Sequence, residues 1–207
     1  MKQAILSAAF LLAVVHLSFA KAHFSNQAIG DKEKVFADSS LLQGEINPEM
    51  LTEVMNAIGL HQDIELKKAN VLNIEASVSH GKRYVLYNPE FIAWISKLTK
   101  SKWAAMALLA HEVGHHLNGH TLKKGGSKPA LELEADEFAG FILHRLGASL
   151  EESQEVMKYI ARPEITNTHP ARASRMLAIQ SGWNRAIDNT ATIAKGESLP
   201  LHINTGN

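Results

Sequence analysis

Four histidines and a glutamate crowd the stretch LLAHEVGHHLNGH, residues 108–120, and imidazole is the commonest protein ligand for a metal ion. His111 and His115 are four apart, and so are His116 and His120. On an α-helix such positions lie about 40° apart around the axis, so either pair can aim two nitrogens at one ion. Glu112 is rotated about 100° from His111, close enough to reach a water on that ion without being a ligand. The pattern H-E-x-x-H serves zinc hydrolases because it supplies two neutral nitrogens and one adjacent base. The second pair has no carboxylate at the matching position, and Gly119 reads as a helix end. The first pair is therefore the expected one, and His116, His120 and His144 are expected to be ordinary polar or half-buried side chains. Gly114, inside the motif, permits close approach of another element.

A catalytic zinc takes three protein ligands and keeps a fourth position for water. The chain has no cysteine, so the third ligand must be a histidine or a carboxylate. ELEAD, residues 132–136, places Glu132 and Asp136 one helical turn apart. With Glu132 on the metal, Asp136 can accept a hydrogen bond from a ligand imidazole and fix its tautomer. Glu134 falls about 160° away from Asp136 around the axis and is expected to be solvated.

Helices must hold these groups. Ser101 is a candidate N-cap, and the uncharged run from Trp103 to Ala110 leads into the histidines, which predicts a helix through the core. KKGGSKP (123–129) reads as a turn, residues 130–148 as a second long helix and 149–161 as a third. RPEITNTHP (162–170) is a loop that opens the helix of residues 171–186. Upstream, residues 47–60 predict a helix capped by Asn47 with Pro48 at its first position, and 89–98 another. NVLNIEASVS and KRYVLYN flank His80–Gly81, which predicts a β-hairpin. The expected fold is α+β, mostly helical, in one domain with a core of about 47–187; residues 188–207 are polar, lack periodicity and read as a frayed tail.

Composition narrows the function. Lys+Arg and Asp+Glu each total 21, so no bulk charge draws the chain to nucleic acid or to an anionic membrane. A hydrophobic content of 45% suits a globular core. Residues 1–20 have the basic start, apolar run and small-residue end of a secretory signal, with cleavage expected after Ala20 and no membrane span remaining in residues 21–207.

HEVGH, ELEAD and THPARASR (168–175) in that order resemble the zinc metallopeptidases that include the CAAX prenyl endopeptidases and the HtpX-type proteases. The short gap between the first two motifs makes the soluble periplasmic members the closer comparison, and the likeness covers residues 70–185. It implies a gluzincin-like domain with an edge strand beside the active-site helix, one zinc ion and endopeptidase activity. By position it implies His111, His115 and Glu132 as zinc ligands, Glu112 as catalytic base and Asp136 behind the ligands. It also implies His169 near the water and Arg175 holding the site. His169 makes chemical sense by itself, since an imidazole at a helix entrance can donate to the oxyanion formed when water attacks a carbonyl. One departure is Glu75–Ala76, which stands where many relatives have Asn-Ala.

The function expected is that of an exported, periplasmic zinc metalloendopeptidase acting on other exported polypeptides, misfolded ones included. The substrate would be bound extended along a hairpin edge, 70–79 or 82–88. The alternative is a metal-stabilised assembly factor or chaperone that binds unfolded partners without cutting. An intracellular zinc-peptidase regulator fits less well, given residues 1–20 and THP.

Overall fold

The computed structural model describes residues 45–61, 63–123 and 128–194; the expected signal segment, nearly all of the polar lead-in, the middle of the 123–129 turn and residues 195–207 lie outside them. The fold is α+β and mostly helical. In chain order come α1 (Pro48–Asn56), β1 (Ile64–Lys68), β2 (Ile74–Ser79), β3 (Lys82–Tyr87), α2 (Pro89–Thr99) and α3 (Lys102–Leu117). A 3-10 turn (His120–Leu122), α4 (Pro129–Arg145), α5 (Leu150–Gln154), α6 (Met157–Ile160) and α7 (Arg172–Ala194) follow.

Capping chemistry sets most helix starts. Asn47 Oδ1 accepts from the Met50 amide at 2.9 Å and Ser101 Oγ from that of Trp103 at 3.1 Å, each satisfying a donor that has no partner inside its helix. Asn88 does the same for α2, where Pro89 takes the first helical position. The expected helix 149–161 is two short pieces instead, α5 and α6, separated at Glu155–Val156. The last helix reaches Ala194, so residues 188–194 belong to α7 rather than to a tail.

The expected hairpin forms. His80 and Gly81 both adopt positive φ, +51° and +77°, which lets a two-residue loop reverse the chain with the twist that the flanking strands need. Ser79 pairs with Lys82, and the antiparallel register runs to Ile74 opposite Tyr87. A strand that the sequence reading left out, β1, adds parallel to β3, so the sheet order is β1-β3-β2. Of the two hairpin edges considered for substrate, 82–88 is therefore interior and paired on both sides. The β2 edge flanks α3.

α3 is the central element, touching α1, α2, α4, α5 and the strands β2 and β3. Ala104 to Ala110 are all buried, because a helix surrounded on every side has no face that needs polar residues. Its last two turns carry the histidines. Gly114 passes under the Phe138 ring, where an added Cβ would lie 3.0 Å from Cδ1. α4 packs between α3 and α7, and its contact with α7 is the most extensive in the fold. The α4–α7 contact runs backbone to backbone. A Cβ on Gly140 would sit 2.0 Å from the Ile179 carbonyl oxygen, and one on Gly182 only 1.8 Å from that of Glu137.

Candidate metal centre

Two turns of α3 and the first turn of α4 bring His111, His115 and Glu132 together, each buried. His111 Nε2 and His115 Nε2 are 3.1 Å apart. Glu132 Oε2 lies 3.5 Å from the first and Oε1 3.6 Å from the second. Donors bonded tetrahedrally to zinc at 2.0–2.1 Å are separated from one another by about 3.3 Å. The three side chains thus match the edges of a tetrahedral cation site, and this group can bind a metal ion. His116 points elsewhere and is buried rather than half-buried: its Nε2 lies 2.9 Å from the Tyr84 carbonyl oxygen, tying α3 to β3.

Electrostatics fit the same purpose. Burial alone would lower the pKa of His111, but Asp136 and Glu132 outweigh it and push it up to about 10. Burial and the neighbouring His111 push His115 down to about 3. One proton therefore sits between the rings, and a divalent cation binding there must displace it. Glu132 is held well below the usual carboxylate range: burial opposes its ionisation, but His111 and Arg175 prevail.

Asp136 is fully buried and lies 2.9 Å from His111 Nδ1, on the far side of that ring from Nε2. Arg175 clamps it with a fork of two hydrogen bonds, Nε to Oδ2 and Nη2 to Oδ1, both 2.7 Å. The same Nη2 is 3.9 Å from Glu132 Oε2. Arg175 thus joins the second acid of α4 to the first.

Glu112 is half-buried beside the ligands, and its Oε2 accepts the Ala76 amide of β2 at 2.7 Å. Burial raises its pKa to about 7, with His111 pulling the other way. A carboxylate titrating there is suited to taking and returning a proton at neutral pH. His169 enters from the loop before α7, with Nε2 at 3.9 Å from Glu132 Oε2. Thr166 Oγ1 accepts its backbone amide at 2.9 Å and Thr168 Oγ1 lies 2.8 Å from its Nδ1, so the loop fixes the ring. Burial keeps its pKa below the usual histidine value.

No protein family, curated protein or solved structure matches this chain.

The sequence reading missed two members of the site. His120 is buried, not an ordinary half-exposed side chain, and its Nδ1 lies 2.9 Å from His115 Nδ1. Glu134, expected to be solvated, keeps 53% of its side chain exposed yet places Oε2 at 2.8 Å from His120 Nε2. Gly119, at φ +69°, turns the chain so that the 3-10 segment folds back against α3 and β2. The available signal was a helix-ending glycine directly before a histidine, since Gly119 can adopt the backbone that such a reversal needs. His144 conforms to expectation: half-buried, its ring meets Trp183 edge-on at 4.6 Å.

The cleft has an apolar side as well. Phe91, Leu108, Met157 and Ile160 line it together with His111, Glu112 and Glu75.

Proposed function

We propose that the chain is a zinc-dependent metalloendopeptidase with a gluzincin-like domain, related to the family that its three motifs resemble. The observation that carries this reading is Glu112: an acid with a pKa of about 7 beside three converging metal donors. A purely structural metal site has no use for such a base. Two histidines and a carboxylate favour zinc among the divalent ions. When bound, zinc supplies Lewis acidity toward water and toward a peptide carbonyl.

The chain's own residues account for the rest. Glu112, oriented by the Ala76 amide, accepts a proton from the attacking water and delivers it to the departing amine. His169 donates to the oxyanion that develops on the carbonyl. Arg175 and Asp136 hold His111 and Glu132 in place. The substrate lies extended along the β2 edge, which gives affinity through main-chain pairing with little sequence preference. An apolar side chain of the substrate packs against Phe91, Leu108 and Ile160.

Residues 1–20 point to export, so the substrates are other exported polypeptides, unfolded ones above all. Among the described residues no helix is long and apolar enough to cross a membrane. The test is cleavage of unfolded casein by zinc-loaded protein, native against Glu112→Gln. The expected loss is on the order of 10²- to 10⁴-fold. Equal cleavage by the two removes Glu112 from the mechanism, and no cleavage by either favours a binding protein that does not cut.

A further inference from the structure

His120 lies outside the three motifs and Glu134 is an interior residue of ELEAD with no role assigned to it there, yet together they form a chain that ends on a candidate metal ligand. We propose that His120 is a positioning residue: it fixes the tautomer and ring plane of His115, with Glu134 anchoring the far end. The proposal rests on metal binding by His111, His115 and Glu132, and is independent of peptide hydrolysis.

His115 Nε2 faces His111 Nε2 at 3.1 Å and Glu132 Oε1 at 3.6 Å, so it is the ligating nitrogen. A neutral imidazole that ligates through Nε2 carries its proton on Nδ1. That Nδ1 lies 2.9 Å from His120 Nδ1, and two ring nitrogens at this distance bond only if one donates and the other accepts. With His115 donating, His120 accepts at Nδ1 and carries its own proton on Nε2. The partner of that Nε2, at 2.8 Å, is a carboxylate oxygen of Glu134, which can only accept. Every contact is then satisfied. The reverse assignment sets the His120 Nε2 lone pair against a carboxylate and puts the His115 proton on the nitrogen needed by the metal. Neutral rings allow one arrangement, and it is the one that ligation requires.

Placement supports the same role. His120 is buried, and its ring stands at 68° to that of His115 with centroids 5.0 Å apart, an orientation that two in-plane nitrogen contacts can share. Each of the two imidazoles thereby has a partner at Nδ1. Asp136 stands behind His111 and His120 behind His115.

The experiment measures the zinc dissociation constant by chelator competition, starting from metal-stripped protein. Two variants of nearly equal size separate the acceptor from the packing: His120→Asn, whose Oδ1 stands where Nδ1 stood, and His120→Leu, which has no acceptor. Partners behind metal ligands typically matter by about 10- to 100-fold in affinity. His120→Leu should weaken zinc binding by that factor, while His120→Asn stays within about threefold of the native protein. Nitrogen-15 shifts of labelled histidine should show the His115 proton on Nδ1 in native zinc-free protein and a mixture of tautomers in His120→Leu. Equal zinc affinity for His120→Leu and native protein overturns the proposal. So do equal losses in the two variants, which would mean packing alone, or a native His115 protonated on Nε2. Should His120→Leu fail to fold, the asparagine variant and the native tautomer decide. A native protein that binds no zinc overturns the metal reading as well.

Discussion

Replacing Gly182 by alanine sets two known effects against each other, and the structure says which one wins. In the interior of a helix, alanine is favoured over glycine by about 1 kcal/mol, so at an open position the change would stabilise α7. Gly182 is not open. Its new Cβ would lie 1.8 Å from the Glu137 carbonyl oxygen and 2.9 Å from the Phe141 amide nitrogen. An ordinary carbon–oxygen contact is well over 3 Å, so α4 and α7 must separate by more than 1 Å or tilt. Neither obstacle is the tip of a flexible side chain; both are helix backbone. Overpacking of this kind costs about 1–3 kcal/mol and occasionally more, and a rigid obstacle belongs at the upper end. The net expectation is destabilisation by about 2 kcal/mol, which for a chain of this size lowers the Tm by about 4–8 °C. Gly140→Ala, at 2.0 Å from the Ile179 carbonyl, should behave in the same way. Gly114→Ala is the milder case, since its new Cβ would meet only the Phe138 side chain, at 3.0 Å from Cδ1 and 3.2 Å from Cβ, and needs a shift of a few tenths of an ångström. The assay is thermal and urea unfolding of the three variants. A Tm unchanged or raised in Gly182→Ala would refute the account of the α4–α7 contact.

Three further outcomes follow from the charges of the site. Asp136→Asn removes the forked carboxylate from the buried Arg175 and leaves it only the more distant Glu132 at 3.9 Å, which should cost about 3 kcal/mol in urea unfolding near neutral pH. Arg175 keeps the Asp136 pKa below its ordinary value against burial, so this stabilisation is present above the unfolded pKa and lost as pH falls through the lower folded one. The gap between variant and native protein should accordingly narrow below about pH 4; a constant gap would contradict the pairing. Zinc must displace the proton held by His111, whose pKa is about 10. Apparent affinity should therefore rise about tenfold from pH 7 to pH 8 with release of one proton, measured calorimetrically in buffers of different ionisation enthalpy; equal affinity at the two values would contradict it. Glu112, raised to about 7, contributes stability below its unfolded pKa that is lost as pH climbs through 7. Metal-stripped Glu112→Gln should thus be more stable than the native protein at pH 8 by up to about 3 kcal/mol, read as a higher Tm, whereas equal Tm values would remove the burial penalty assigned to Glu112.

Local signals in the chain carried the central part of the structure. The four-residue spacing of His111 and His115, the uncharged run before them and the Ser101 cap each act within one helix, so sequence alone specifies them. The His80–Gly81 loop was legible for the same reason: two residues at positive φ close the hairpin. The β1 strand was not. IELKK is short and three of its five residues are charged, and its partner β3 lies beyond an intervening strand. The break between α5 and α6 was also hidden, since the apolar pattern continues across it. Glu132 could be chosen as the third donor because Asp136 shares its face one turn on, but the role of Glu134 depends on where His120 arrives. That is set by a reversal at Gly119 and no helical wheel contains it.

The arrangement of donors along the chain has a consequence for assembly. The three candidate donors all come from the span 111–132, whereas the Arg175 fork joins positions 39 residues apart. Closing a loop costs entropy that grows with its length, by about 0.6 kcal/mol for each doubling. Bringing the three donors together therefore costs about 0.5 kcal/mol less loop entropy than closing the fork, so the donor set leans less on the last helix than Asp136 and Arg175 do.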